Sequence, residues 1–402
     1  MYKKILPFIL LCFGLFGSSL KAQEFKLFNR DVQVHGFATQ GFIYTDHNNW
    51  LTMQTSDGSA AFTDFGGNIS MQVNDKLRIG AQLYDRNLGQ LDQWHPSLDW
   101  AYADYRFKPW FGIRAGKVKT AFGLYNNTQD MEFLHTWALL PQSLYANDLR
   151  SETIAHLGGD AYGHVDIRKA GQLDYTVYGG KVPKDTRGGY YYGVIGYESQ
   201  PGVTVQPTGF RQTEVGGDIR WTTPLKGLMV GFSAYAVDFV FHQIITTPDG
   251  AIPLTTRPTV THFTDYYGEY SIWRLRLNGE YRINPNTWVT SPPGVIPLIS
   301  NEERDMFASV AFRVNKWLEV GTYHSRYYPD FNQPHSPDAN HEFDQTVTAR
   351  FDLTRHMDLK VEEHFIDGYG SSLSFRGFYA QENPNGFSPK THALVIRTGF
   401  NY

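Results

Sequence analysis

Apolar and polar residues alternate one by one along most of this chain, the period of a β-strand whose two faces meet different surroundings. The clearest run sets Trp273, Leu275, Leu277, Gly279, Tyr281 and Ile283 against Arg274, Arg276, Asn278, Glu280 and Arg282 without a break. The segment before it sets Tyr266, Tyr270 and Ile272 against Asp265 and Glu269. Earlier, Ala101, Ala103, Tyr105 and Phe107 alternate with Trp100, Tyr102, Asp104 and Arg106; Lys108-Pro109-Trp110 turns the chain, and Phe111, Ile113 and Ala115 return opposite Gly112, Arg114 and Gly116. Both pairs read as hairpins. Similar segments flank the turns at Asn74-Asp75-Lys76, Arg168 to Gly171, Thr223-Pro224-Leu225, Asn315-Lys316-Trp317 and Thr354-Arg355-His356. Short turns alternate with long polar connections, so the pattern predicts a meander of about sixteen strands with unequal ends.

Past Gly123 and Asn126-Asn127 the alternation stops for roughly thirty residues, far longer than a hairpin connection, which marks a loop with a role of its own. That loop carries Asp130, Glu132, Trp137, Tyr145, Asp148, Arg150 and Glu152, the candidate constriction residues.

Composition decides where such a meander resides. The 402 residues are 15% aromatic and 19% charged, too polar for a bundle of spanning helices. The one long apolar run, Ile5 to Phe16, follows Lys3 and Lys4 and precedes Leu20-Lys21-Ala22. It has the build of a secretory signal and is too short to span a membrane as a helix. Cleavage is expected after Ala22, leaving residues 23–402 as one β domain. Losing the three lysines takes the formal charge from −4 to about −7, which argues against a nucleic-acid partner. The single cysteine, Cys12, lies within that leader. The mature chain therefore offers no disulfide, thiolate metal site or cysteine nucleophile.

The polar faces of the strands carry Arg78, Arg106, Arg114, Arg274 and Arg276, with Arg86, Arg220, Arg282, Arg313, Arg350, Lys360 and Arg397. Asp104, Asp174, Asp218, Asp265, Glu269, Glu280, Glu319, Asp344, Asp352 and Glu362 stand against them. Charges are costly against lipid, so these faces are expected to line a polar lumen. Lipid cannot satisfy an open sheet edge, so the sheet should close into an all-β, transmembrane antiparallel barrel. The near balance of sign leaves the ion preference open.

The succession Leu98-Asp99-Trp100-Ala101-Tyr102-Ala103-Asp104-Tyr105-Arg106-Phe107, then Arg114-Ala115-Gly116-Lys117, Phe122-Gly123-Leu124-Tyr125-Asn126 and Leu140-Pro141-Gln142-Ser143-Leu144-Tyr145, resembles bacterial outer-membrane porins distantly related to the phosphate-selective porins. The resemblance implies a sixteen-stranded, usually trimeric diffusion channel in outer-membrane lipid whose third long loop, here between Lys119 and Gly158, folds into the lumen. Phe400-Asn401-Tyr402 resembles the aromatic-ended strand through which the barrel-assembly machinery recognises such chains for insertion. The long loop lacks the basic run a phosphate selector would need, so that specificity is not implied.

The expected function is passive diffusion of small hydrophilic solutes or ions. A homotrimer would pack through the small outward residues Gly67, Ala81, Ala101, Ala103 and Ala115. No cofactor is expected: His35, His135 and His164 lack metal-ligand spacing, and the mature chain has no nucleophile elbow or phosphate loop. Other readings stay open. Trp50, Trp94, Trp137 and Tyr145 could form an aromatic track for sugars, or the channel could select anions, and a barrel enzyme or adhesin also fits the pattern. At the constriction, Asp130, Glu132, Asp148 and Glu152 facing Arg78, Arg106 and Arg114 would set a field across the pore. The alternative is that those arginines pair within the wall.

Overall fold

A computed structural model describes residues 23–27, 30–199, 201–294 and 298–402; the leader expected at 1–22 lies outside them. Its first strands are β1 (Gln23–Leu27), β2 (Arg30–Thr45), β3 (Ser59–Gln72), β4 (Leu77–Leu88), β5 (Ser97–Lys108) and β6 (Phe111–Lys119). Next come β7 (Ala155–Asp166), β8 (Gln172–Val182), β9 (Thr204–Thr222), β10 (Leu228–Thr247), β11 (Gly250–Ile272) and β12 (Leu275–Ser291). The chain ends with β13 (Ile299–Arg313), β14 (Leu318–Tyr328), β15 (Glu342–Thr354), β16 (Met357–Gly368) and β17 (Lys390–Asn401). From β2 onward each strand pairs antiparallel with the next, and β17 pairs back onto β2 through Phe400↔Ala38 and Ile396↔Phe42. The result is a closed sixteen-stranded barrel, with β1 as a short flap on β2. Closure leaves no edge of unpaired backbone, the condition for a sheet in lipid.

The alternation seen in the sequence sorts the two faces. Leu83, Leu157, Val177 and Val215 project outward and are 58–61% exposed, an apolar outer belt that only lipid or another protein would cover. Their neighbours Gln82, His156, Tyr178 and Glu214 project inward and are buried. No helix among the described residues is long and apolar enough to cross a membrane.

Two features depart from the sequence reading. The stretch from residue 178 to 214, rich in Tyr and Gly and without the alternation of its neighbours, holds the end of β8, a helix, α2 (Gly189–Glu198), and the first half of β9. The strands β9, β10 and β11 are 19, 20 and 23 residues long, so this wall continues well beyond a bilayer-spanning length of about ten residues. Its upper part mixes Thr, Pro and charge and so carries no clean period. Lys117, which breaks the alternation of β6, follows Gly116 at φ +136°, where a Cβ would lie 2.2 Å from the Ala101 carbonyl oxygen. The twist there turns Lys117 so that its Nζ donates to the Leu98 carbonyl at 2.7 Å.

Candidate functional site

The third long connection, residues 120–154, joins β6 to β7 and includes the single helical turn α1 (Arg150–Thr153). Its contacts are with inward-facing side chains on distant strands. The Lys360 Nζ of β16 donates to the carbonyls of Glu132 (2.7 Å) and Trp137 (3.2 Å) and pairs with the Glu132 carboxylate. On the same strand, the Glu362 carboxylate accepts the backbone N–H groups of Ala138 and Leu139, both at 3.0 Å. Arg350 of β15 donates to the Phe133 and His135 carbonyls, and Arg397 of β17 donates to that of Ala138. Across the barrel, Arg220 of β9 and Arg282 of β12 hold the Gly123 and Leu144 carbonyls, while Tyr145 donates to Glu280 at 2.5 Å. Backbone groups of an irregular segment need partners once water is excluded, and here wall charges supply them.

Apolar packing completes the contact. Leu124, Tyr125, Trp137, Leu140, Leu144 and Tyr145 cluster with the inward Tyr267, Phe307 and Tyr323. Nearer the long-loop end, Trp50, Leu51, Leu139 and Phe378 from three connections pack on Ile43, Phe62, Ile366 and Val395. Wall side chains touched by these segments are dry: Gln82, His156, Ser233, Asp265 and Lys360, on five different strands, are all 0% exposed. Toward the short turns the wall is wet, with Arg78 and Arg106 exposed and Arg114 and Asp104 half-buried.

The expected constriction residues are spread over this interface rather than gathered at one point. Asp130 receives Gln82 and Lys119, both at 2.6 Å. Burial would raise its carboxyl, but Lys119 and Arg150 outweigh that and hold it below the ordinary range. Glu132 behaves alike: burial is overcome by Lys360 and then Arg397, so it stays ionised. Trp137 lies edge-on to Tyr323. Asp148 accepts from Gly377 N–H (2.6 Å) and Tyr379 hydroxyl (2.7 Å), joining this segment to the last long connection; burial pushes its carboxyl up. Arg150 pairs with Asp99 at 2.9 Å over the Tyr84 ring. Glu152 accepts from Ser151 at 2.8 Å and is pushed up to about 8 by burial.

The wall arginines expected to face these acids have other partners. Arg114 pairs with Asp160 at 2.9 Å, Arg78 donates to Ser70 at 2.9 Å, and Arg106 lies beside Tyr162 and Asp104. Arg274 sits in the turn between β11 and β12 and caps the Val314 carbonyl at 2.9 Å; Arg276 pairs with Glu319 at 3.0 Å. Asp130 and Glu132 are instead taken up in contact ion pairs with Lys119 and Lys360, so these acids do not stand across a gap from the wall arginines. The aromatic track is likewise not assembled: Trp50, Trp137 and Tyr145 are buried in two separate clusters, and Trp94 stacks on Phe65 at the outer face.

The sequence reading missed Arg376, which spans from the last long connection to the Ser143 carbonyl and Glu303, each at 2.6 Å. It also placed Arg350, Lys360, Glu362 and Arg397 on the wall without assigning them to the loop. Nothing in a strand's period states which loop will lie against it. Among the histidine–carboxylate pairs of the described residues, His364 with Asp344 and Glu362, and His156 with Glu214 and Thr120, are 0% exposed at the histidine, whereas His164 with Asp174 and His47 with Asp46 lie open to solvent. No cluster of potential metal ligands occurs among the described residues.

A closed sixteen-stranded barrel with a charged inner face, an apolar belt and long connections at one end defines the porin class of outer-membrane architecture. The comparisons agree. The chain is distantly similar to the outer-membrane channel DcaP of Acinetobacter baumannii (11% identity, TM-score 0.53, covering 92–94% here and 99% there across this and the next example). That next example is the trimer form of OmpT, an outer membrane protein of Vibrio cholerae, at 12% identity and TM-score 0.54. An anion-selective porin from Comamonas acidovorans matches at 10% identity and TM-score 0.54 over 93% of this chain and 100% of its own. At such identities the likeness is one of fold. No family model and no curated protein sequence matches.

Proposed function

We propose that this protein is a porin-type channel of the bacterial outer membrane, exported by a signal cleaved after Ala22, that passes small hydrophilic solutes or ions by diffusion and is shut in the conformation described. The observation that carries the reading is the ring of dry, inward side chains hydrogen-bonded to residues 120–154. A barrel of this strand number leaves room for a channel, and the reading places residues 120–154 in that room. Residues 120–154 are then the constriction, and passage needs them to shift. On this reading the chemistry is transport without covalent steps. A homotrimer is supported by the trimer form of a structural neighbour and by the small outward residues Gly67, Ala81, Ala101, Ala103 and Ala115 on β3 to β6.

The test is planar-bilayer conductance of the purified, refolded protein. Wild type should show long closed periods with brief openings. Lys360→Met combined with Glu362→Gln removes two holds on the segment and should raise the open fraction about tenfold. Absence of any conductance in both proteins, with folded barrels confirmed by heat-modifiable migration, would falsify the channel reading.

A further inference from the structure

On the short-turn side of residues 120–154 lies a cavity of about 140 Å³. Tyr125, Leu134 and Trp137 of the segment form one side of it, and Glu269, Arg276 and Asn278 of the β11–β12 hairpin form the other. It is reached from the wet end of the barrel: Leu134 is 45% exposed and the Arg276 side chain 33%.

Its charges are arranged unusually. Glu269 pairs in register with Asn278, and Arg276 stands two residues along on the same inward face. The two charges are thus diagonal neighbours across the hairpin, a backbone spacing of about 7–8 Å, and they do not form an ion pair with each other. Arg276 spends one edge of its guanidinium on Glu319 (3.0 Å) and Thr136 (3.3 Å). Glu269 has no cationic partner among the described residues. Its neighbours are the Asn278 amide, which donates at 3.1 Å when its oxygen accepts from Tyr125, and a long contact of 3.5 Å from Ser271. A carboxylate with spare lone pairs, a guanidinium with a free edge and an apolar wall meet in one cavity.

We infer that this cavity is a binding station for a small zwitterion of the α-amino-acid type with an apolar side chain. The ammonium would sit on the spare lone pairs of the Glu269 carboxylate, which the Asn278 amide holds in place, the carboxylate on the free edge of Arg276, and the side chain against Tyr125, Leu134 and Trp137. Size is compatible, since an enclosed cavity of about 150 Å³ takes a six-carbon ring, and this one is open on its wet side, where the polar atoms of a ligand such as valine would project. The inference rests on reading the protein as a channel, in which a weak station on the solute path concentrates solute without trapping it.

The experiment is calorimetric titration of the folded protein in detergent with L-valine, isobutylamine, isobutyrate and glucose. Valine should bind at least about tenfold more tightly than either half-molecule or glucose. Glu269→Gln should abolish the preference for valine over isobutyrate, and Arg276→Lys, which keeps the charge but not the fork, should weaken valine severalfold. Glu269 has no structural ion pair, so its variant is expected to fold, as migration would confirm. Isobutylamine binding as tightly as valine, glucose binding more tightly, or no valine binding up to about 100 mM would each overturn the inference. Bilayer conductance of the same preparation separates the two readings: conductance without valine binding removes only the station, and valine binding without conductance removes only the channel.

Discussion

Of the single residues in this site, His135 gives the most direct test of how residues 120–154 are held. It is buried, and its Nε2–H donates to the Thr128 carbonyl at 2.8 Å. Burial lowers its pKa to about 4; the Thr128 bond and Glu132 oppose the shift, whereas Lys360 and Arg276 add to it. A histidine lowered in the folded state binds fewer protons there than when the segment is released, so stability rises with pH through the window and falls as pH drops from about 6.5 to about 4. The most this can amount to is about 3 kcal/mol, at 1.36 kcal/mol per pKa unit. Amide hydrogen exchange over residues 128–138, corrected for its intrinsic pH dependence, should quicken across that window in wild type, and His135→Gln should flatten the response. A second residue-scale expectation concerns the Lys360–Glu132 pair, where neither side chain has access to water. Lys360→Met strands a buried carboxylate, a loss of about 3–5 kcal/mol, and adding Glu132→Leu should restore part of it. Protease sensitivity of the segment reads both.

At the level of elements, β17 decides whether a barrel exists. It bonds β16 on one side and β2 on the other, so the last strand made is the one that closes the first. Tyr402 continues the closure past the strand: its backbone exchanges hydrogen bonds with Gly36 at 3.0 and 3.3 Å, and a Cβ at Gly36 would lie 2.6 Å from its ring. Removing Tyr402, or changing Phe400→Ser, should leave protein that migrates identically with and without heating and stays out of the outer-membrane fraction. Heat-modifiable barrel from both variants would show that neither residue governs assembly.

For the whole molecule, the outer surface sets the expectation. Small residues on β3 to β6 permit close approach, and an unusual charge lies on the neighbouring sector: Glu363 of β16 points outward between Val347 and Leu394. A carboxylate there is costly against lipid and has no ion-pair partner among the described residues, which fits a surface covered by another copy. Light scattering in mild detergent should give a mass of about three chains. Ala101→Trp with Ala103→Trp should shift the population toward single barrels without loss of heat modifiability, and a single-chain mass for wild type at every concentration would end the trimer expectation.

The barrel was legible in the residues themselves because strand period, turn chemistry and the cost of charge in lipid are local quantities. Leu275 to Ile283 could only be a two-faced strand, and about sixteen such segments with unequal ends could only close. The tall walls of β9 to β11 were not legible, since beyond the bilayer nothing enforces alternation. The partners of residues 120–154 were hidden for another reason. Whether Glu132 meets Arg78 or Lys360, and whether Trp137 faces solute or Tyr323, depends on which wall side chains an irregular segment meets, and only the three-dimensional packing determines that path. Local sequence determined the strands, their faces and the closure; tertiary structure alone decided that the interior is dry at Lys360 and Gln82, because that depends on contacts between residues 48 positions apart at Gln82 and 228 apart at Lys360.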